Sequence, residues 1–174
     1  MDIHWKVNMQ LRFPMNNIAF WADRYSYPRL LRSGLVTAVR QQHYFTKPQL
    51  LEILRWKSPR SAPLAEANNK AFVVEVTRAA AATESEQMRI ELLTLLKGVG
   101  WPVASCMLHF GISHSYPILD FRALWSLRVS VEASQYNYSM WRDYVARCRS
   151  IAAHANVTVR QLDMALWQYS KENQ

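Results

Sequence analysis

Cysteine and glycine are the scarce residues of this 174-residue chain, which has two of the first and four of the second. Two thiols, Cys106 and Cys148, cannot build a disulfide framework, and they fall short of the four ligands that an iron–sulfur cluster or a zinc ribbon requires. Both read as reduced core residues. The glycines are Gly34, Gly98, Gly100 and Gly111, and no window joins apolar–polar alternation to a hairpin dipeptide such as Asn-Gly, which argues against sheet. Long apolar runs are also missing, so no segment has the roughly 20 residues of a bilayer-spanning helix. The opening Met1-Asp2-Ile3-His4-Trp5-Lys6 has no basic stretch leading into an apolar one, hence no secretory signal. These absences lead to the expectation of a soluble cytoplasmic protein, nucleoid-associated if bacterial, with no membrane partner.

What is present is apolar bulk and positive charge. Half the residues are hydrophobic and a fifth are charged, a balance typical of folded globular chains, and the length suits one compact domain over residues 1–174. The 21 Lys/Arg against 13 Asp/Glu give +8, unevenly spread: residues 1–61 hold ten basic and three acidic side chains, the remainder eleven and ten. A basic first third is what a phosphate-facing surface needs, and equally what a solvated basic face looks like.

Helix-start signals recur. Thr46-Lys47-Pro48-Gln49, Thr83-Glu84-Ser85-Glu86 and Thr158-Val159-Arg160-Gln161 each place Glu or Gln three residues after a hydroxyl. The first opens a helix that ends near Lys57, before Ser58-Pro59. The second opens a strongly buried helix through Met88, Ile90, Leu92, Leu93, Leu95 and Leu96. Further helices are predicted near 17–25, 28–43, 64–82, 101–110, 121–129, 139–154 and 159–171, with a loop over 129–139. The predicted fold class is all-α, with short connections.

Chemistry concentrates in residues 90–125. Leu96-Lys97-Gly98-Val99-Gly100-Trp101-Pro102 ends one helix and starts another. The two glycines permit positive φ and close backbone approach, Val99 can pin the turn to the core, and Pro102 sits in the first helical turn where its missing N–H costs nothing. Val103, Ala104, Met107 and Leu108 are expected on one face, packed against Leu92, Leu93 and Leu96. Such a hairpin presents free N–H groups at a helix N-terminus, a seat for phosphate that reads no sequence. Then Pro117-Ile118-Leu119-Asp120 places an acid before a new helix, 18 residues after Pro102. On spacing alone Asp120 reads as an N-cap.

Together these segments resemble the helix-hairpin-helix DNA glycosylase superfamily, the group of endonuclease III and of the adenine-mismatch and alkyl-adenine glycosylases. There a Leu-Pro-Gly-Val-Gly hairpin is followed at this distance by Pro-x-x-Asp with a catalytic aspartate. The resemblance implies that Gly98, Val99 and Gly100 grip a DNA phosphate through backbone amides, with an alkali cation, K+ or Na+, at the hairpin carbonyls. It implies Asp120 as the catalytic carboxylate, a role that an N-cap can share. Pro102 stands where bifunctional members have a Schiff-base lysine, so the implied activity is monofunctional: hydrolysis of the bond between a modified or mismatched base and deoxyribose in double-stranded DNA. The cysteine count excludes the iron–sulfur subgroup, and the residues after the acid, Arg122 and Trp125, depart from the His or Asn and later basic residue often found there.

Lys97 and Trp101 extend the expected DNA contact, joined by Arg32, Lys57 and Arg60. A flipped base needs aromatic or apolar walls, for which Trp56, Tyr116 and Arg122 are the candidates. Trp56-Lys57-Ser58-Pro59-Arg60 reads as a surface motif or simply as an exposed helix exit. Trp5, Trp21, Tyr25, Tyr27 and Tyr44 interleave with Arg24, Arg29 and Arg40 in the same basic third, a pattern that suits stacking and phosphate contact, although most of these rings, Trp56 included, read as core. The histidines, His4, His43, His109, His114 and His154, show no metal spacing. Two alternatives stay open: a non-enzymatic, structure-selective DNA-binding protein that keeps the hairpin, and an all-α module whose basic face meets a protein.

Overall fold

The computed structural model describes residues 9–27, 31 and 34–174. Among these there are ten α-helices and no strand. The helices are α1 (Ile18–Asp23), α2 (Leu35–Gln42), α3 (Lys47–Lys57), α4 (Ala62–Ala65), α5 (Lys70–Ala82), α6 (Glu86–Leu93), α7 (Trp101–Gly111), α8 (Phe121–Ser126), α9 (Tyr138–His154) and α10 (Val159–Asn173). The chain divides into two compact units: a terminal unit, made of the described residues up to Ser26 with Leu119–Gln174, and an inserted unit, Tyr27–Ile118.

In the inserted unit α7 is the central element, packing on α2, α3 and α6. Every residue from Val103 to Phe110 is buried. The expectation of one apolar face is thereby corrected: with Ala104, Ser105 and Cys106 small enough for neighbours to close in, the helix is covered on all sides. Around it lie Leu50, Ile53 and Leu54 of α3, Val73 and Val76 of α5, and Ile90 and Leu93 of α6. In the terminal unit α10 packs on α1, α8 and α9. Met140, Trp141, Tyr144, Val145, Cys148 and Ile151 of α9 are buried at the spacing of a single helical face.

Local chemistry sets most boundaries. Thr46 with Gln49, and Thr158 with Gln161, form the capping boxes that start α3 and α10. The Thr83 signal is shifted: Ser85 Oγ accepts the Met88 N–H at 3.2 Å and begins α6, while Thr83 closes α5 and its carbonyl takes a guanidinium bond from Arg89. The helix predicted over 64–82 is broken, because Asn69 Oδ1 accepts from the N–H groups of Ala71 and Phe72 and so starts α5 afresh. The helix predicted over 121–129 stops at Ser126. There Val129 N–H bonds back to the Leu124 carbonyl and Arg128 N–H to that of Trp125, with Arg128 at φ +61. Within the stripe expected to be buried in α6, Met88 and Leu95 are instead 53% and 58% exposed: Met88 lies on the outer face of α6, and Leu95 falls beyond its regular end at Leu93. Of the helix expected over 28–43, the described part begins at Leu35.

Candidate functional site

The hairpin between α6 and α7 is held by shape and by one amide side chain. Gly98 has φ +82, and a Cβ placed on it would lie 2.7 Å from the Ser61 carbonyl oxygen and 3.1 Å from the Ala65 nitrogen. Only glycine meets both demands at that position. Gly100 differs from the reading of two permissive glycines: its φ is −93, extended, and a Cβ there meets nothing nearer than Pro102 Cδ at 3.9 Å. Asn68, buried, clamps the turn from the far side, donating Nδ2 to the Lys97 carbonyl and accepting the Lys97 N–H on Oδ1, both at 2.9 Å. Val99 is buried beneath.

Above this clamp, Gly100 is exposed and extended, Trp101 and Pro102 form the first turn of α7, and the first intrahelical bond runs from Ala104 N–H to the Gly100 carbonyl. The N–H groups of the first turn lack intrahelical acceptors by geometry and point out of the helix end, where the dipole favours an anion. Lys97 is exposed beside them. Ser61, whose carbonyl walls Gly98, follows exposed Arg60 directly, so the fold brings the Lys57–Arg60 exit and the hairpin to one place. Arg32, Arg29 and Trp5 lie outside the described residues. Arg40 is not a surface cation: it donates to the carbonyls of Phe110 and His109 at 2.9 and 3.1 Å, closing the C-terminal end of α7.

The base-wall residues fall apart. Trp56 is only 7% exposed, set against Tyr27 and edge-on to Phe110, which corrects the reading of a surface indole. Tyr116 is buried; its hydroxyl donates to Glu86 at 3.0 Å and accepts from Arg89 at 2.7 Å, and burial raises its pKa above the ordinary phenol value. Both rings serve the interior of the inserted unit. Arg122 belongs to the terminal unit, its guanidinium carbon 5.1 Å from the Phe121 ring centroid and 5.8 Å from that of Trp167.

Asp120 is also in the terminal unit, partly buried at the start of α8, where its Oδ1 accepts the Arg122 N–H at 2.9 Å. It lies within electrostatic reach of the fully buried Tyr144. That phenol is pushed well above its ordinary value, first by burial and then by the Cys148, Asp163 and Asp120 groups around it, so it stays protonated.

Main-chain oxygens are the only hairpin groups that suit an alkali cation. Among the described residues, the carbonyls of Leu96 and Gly100 accept backbone N–H bonds and that of Lys97 accepts from Asn68, while those of Gly98 and Val99 take no such bond. These two hard oxygens fit such an ion. No group of three or more His, Cys, Asp or Glu side chains able to hold a metal occurs among the described residues. His109 and His114 stack with ring centroids 4.6 Å apart. Among the described residues no helix is long and apolar enough to cross a membrane.

Asn68 and Ser61 are the residues that sequence reasoning missed. The Asn68-Asn69 pair inside a predicted helix was the available signal, since asparagine favours caps over helix interiors. No family model, curated protein or solved structure matches the chain.

Proposed function

We propose that this chain is a monofunctional DNA N-glycosylase. The observation that carries the reading is the hairpin. Its positive-φ Gly98 fits only as glycine, its turn is clamped by Asn68, and it opens a helix whose free N–H groups stand beside Lys97. A rigid seat of this kind takes a backbone phosphate at little ordering cost and reads no base.

Hydrolysis breaks the bond between C1′ and the base nitrogen. Water supplies hydroxide to C1′, and its remaining proton ends on the base. Positive charge builds on the sugar as the bond lengthens, and the Asp120 carboxylate is assigned to stabilise that charge or to take the water proton. Its bond from the Arg122 N–H holds the side chain in place at the start of α8. At Pro102 there is no amine to form an imine, so the abasic strand is left intact. An alkali ion, when bound, would add positive charge beneath the phosphate.

A panel of duplexes carrying uracil, alkylated purines, oxidised guanine or A·G mismatches, followed by alkali, tests the reading. Strand breaks that require the alkali step are expected, and Asp120→Asn should cut base release at least about a hundredfold with duplex affinity unchanged. Asparagine caps as well as aspartate, so the fold should be unaffected. The engagement of Asp120 as a helix cap favours one second reading, a DNA-binding protein without the chemistry. Tight, salt-dependent duplex binding with no base released from any substrate would establish that one instead.

A further inference from the structure

In the terminal unit a cavity of about 200 Å³ opens beside α8. Arg12, Phe121, Trp125, Arg128, Val129 and Val131 line it, and no Asp or Glu side chain does so among the described residues. Arg12 is fixed in place. Its Nε donates to the Trp125 carbonyl at 2.5 Å, and its guanidinium carbon stands 4.3 Å from the centroid of the indole. Arg128 is exposed at the left-handed residue that ends α8, a position where glycine would be less strained. Phe121 is 60% exposed, with Arg122 against its ring.

These features have one chemical sense. Two guanidiniums with no Asp or Glu side chain in the wall make a seat for an anion, and the arginine fork matches phosphate. The exposed Phe121 ring, with the two valines, offers flat apolar surface for a planar heterocycle. The volume lies below the roughly 300 Å³ of pockets that enclose a whole small molecule, which suits one ring with its phosphate at the rim. We propose that this cavity is a nucleotide subsite, a base resting on Phe121 and its phosphate on Arg12 and Arg128. A free nucleotide and a nucleotide of a single strand share that chemistry. The inference uses neither the hairpin nor Asp120, so it stands apart from base release.

The test uses the full chain with two probes: fluorescein-labelled oligothymidylate followed by anisotropy, and thymidine 5′-monophosphate followed by calorimetry. Phe121→Ala should weaken binding about tenfold, the effect of removing one stacking ring. Arg128→Gly should do the same and lower the salt slope by about one phosphate contact. Glycine suits that backbone, so unfolding cannot explain the loss, and melting temperatures of both variants check it. Asp120→Asn should bind both probes like the unaltered chain even where base release is gone, which separates this site from the proposed chemistry. Binding of both probes with the same losses marks a free-nucleotide site, and binding of the oligomer alone marks a strand contact. Either variant set binding like the unaltered chain, or no binding of either probe to the unaltered chain, overturns the proposal.

Discussion

The two units close their interiors in different ways. Among the described residues, the polar side chains buried in the inserted unit besides Tyr116, whose hydroxyl meets Glu86 and Arg89, are Asn68, Thr77, Ser105 and His109, with no carboxylate or guanidinium among them. Each reaches a main-chain group: Asn68 the Lys97 peptide, Thr77 the Phe45 peptide, Ser105 the Pro102 carbonyl and His109 the Tyr116 carbonyl. The terminal unit instead buries Asp163, 2.6 Å from Arg160, beneath Tyr144 and Cys148. Hydrogen bonds to backbone fix positions at modest net gain and are indifferent to salt. A buried ion pair repays its desolvation only while both partners remain. The unit that carries the hairpin is thus organised by shape, and the unit that carries Asp120 by charge.

Breaking the shape should have the largest effect. Gly98→Val adds a branched side chain where a Cβ already lies 2.7 Å from a carbonyl oxygen, at a φ of +82. The left-handed backbone and the overpacking together should cost about 4 kcal/mol. Urea midpoints followed by far-UV circular dichroism read the loss directly. Gly100→Ala is the matched control: extended φ and open space predict a change within about 0.5 kcal/mol. Equal losses at both positions would remove the distinction between a built turn and a merely flexible one.

Breaking the charge comes next. Asp163→Asn keeps the size of the side chain and removes its charge from Arg160, whose side chain is 22% exposed. Taking the carboxylate away from a largely buried guanidinium should cost about 3 kcal/mol in thermal or urea unfolding. The Cys148 thiol, pushed up first by burial and then by Asp163, should react somewhat more readily with a thiol reagent in the unfolding range. If Asp163→Asn is neutral, charge is not what organises the terminal unit.

What could be read from the sequence was what neighbours along the chain decide. The Thr46 and Thr158 caps, the hairpin at Gly98, Pro102 in the first turn of α7 and the cap at Asp120 all rest on contacts a few residues apart. What escaped depends on distant partners. Gly98 needs Ser61, Lys97 needs Asn68, Trp125 lies under Arg12, and His109 stacks on His114 across a turn. The basic first third shows the same limit: composition counts Arg24, Arg40 and Lys47 as surface charge, whereas the fold gives them to Glu172, to the end of α7 and to Glu66. For the same reason, Trp56 and Tyr116, expected in the wall of a base pocket, are placed in the interior of the inserted unit by their neighbours.

The smallest effect belongs to the surface of the terminal unit, and it concerns pH. The Arg24 guanidinium, donating to Glu172 at 2.9 and 3.1 Å, holds that carboxyl below the ordinary glutamate range, with help from Gln168. A carboxyl lowered in the folded state stabilises fully above its unfolded pKa, and the contribution disappears as pH falls through its folded pKa. Glu172→Gln should therefore unfold more easily than the unaltered chain near pH 7, and the gap should close as pH is lowered past about 4. The pair is exposed and sits at the end of α10, so the gap should be small and should shrink with salt. Urea midpoints across that pH range, in low and high salt, measure it. A gap that persists in acid would mean that Glu172 acts through packing or its bond to Gln168. The role of charge in this unit would then be confined to the buried pair of Arg160 and Asp163.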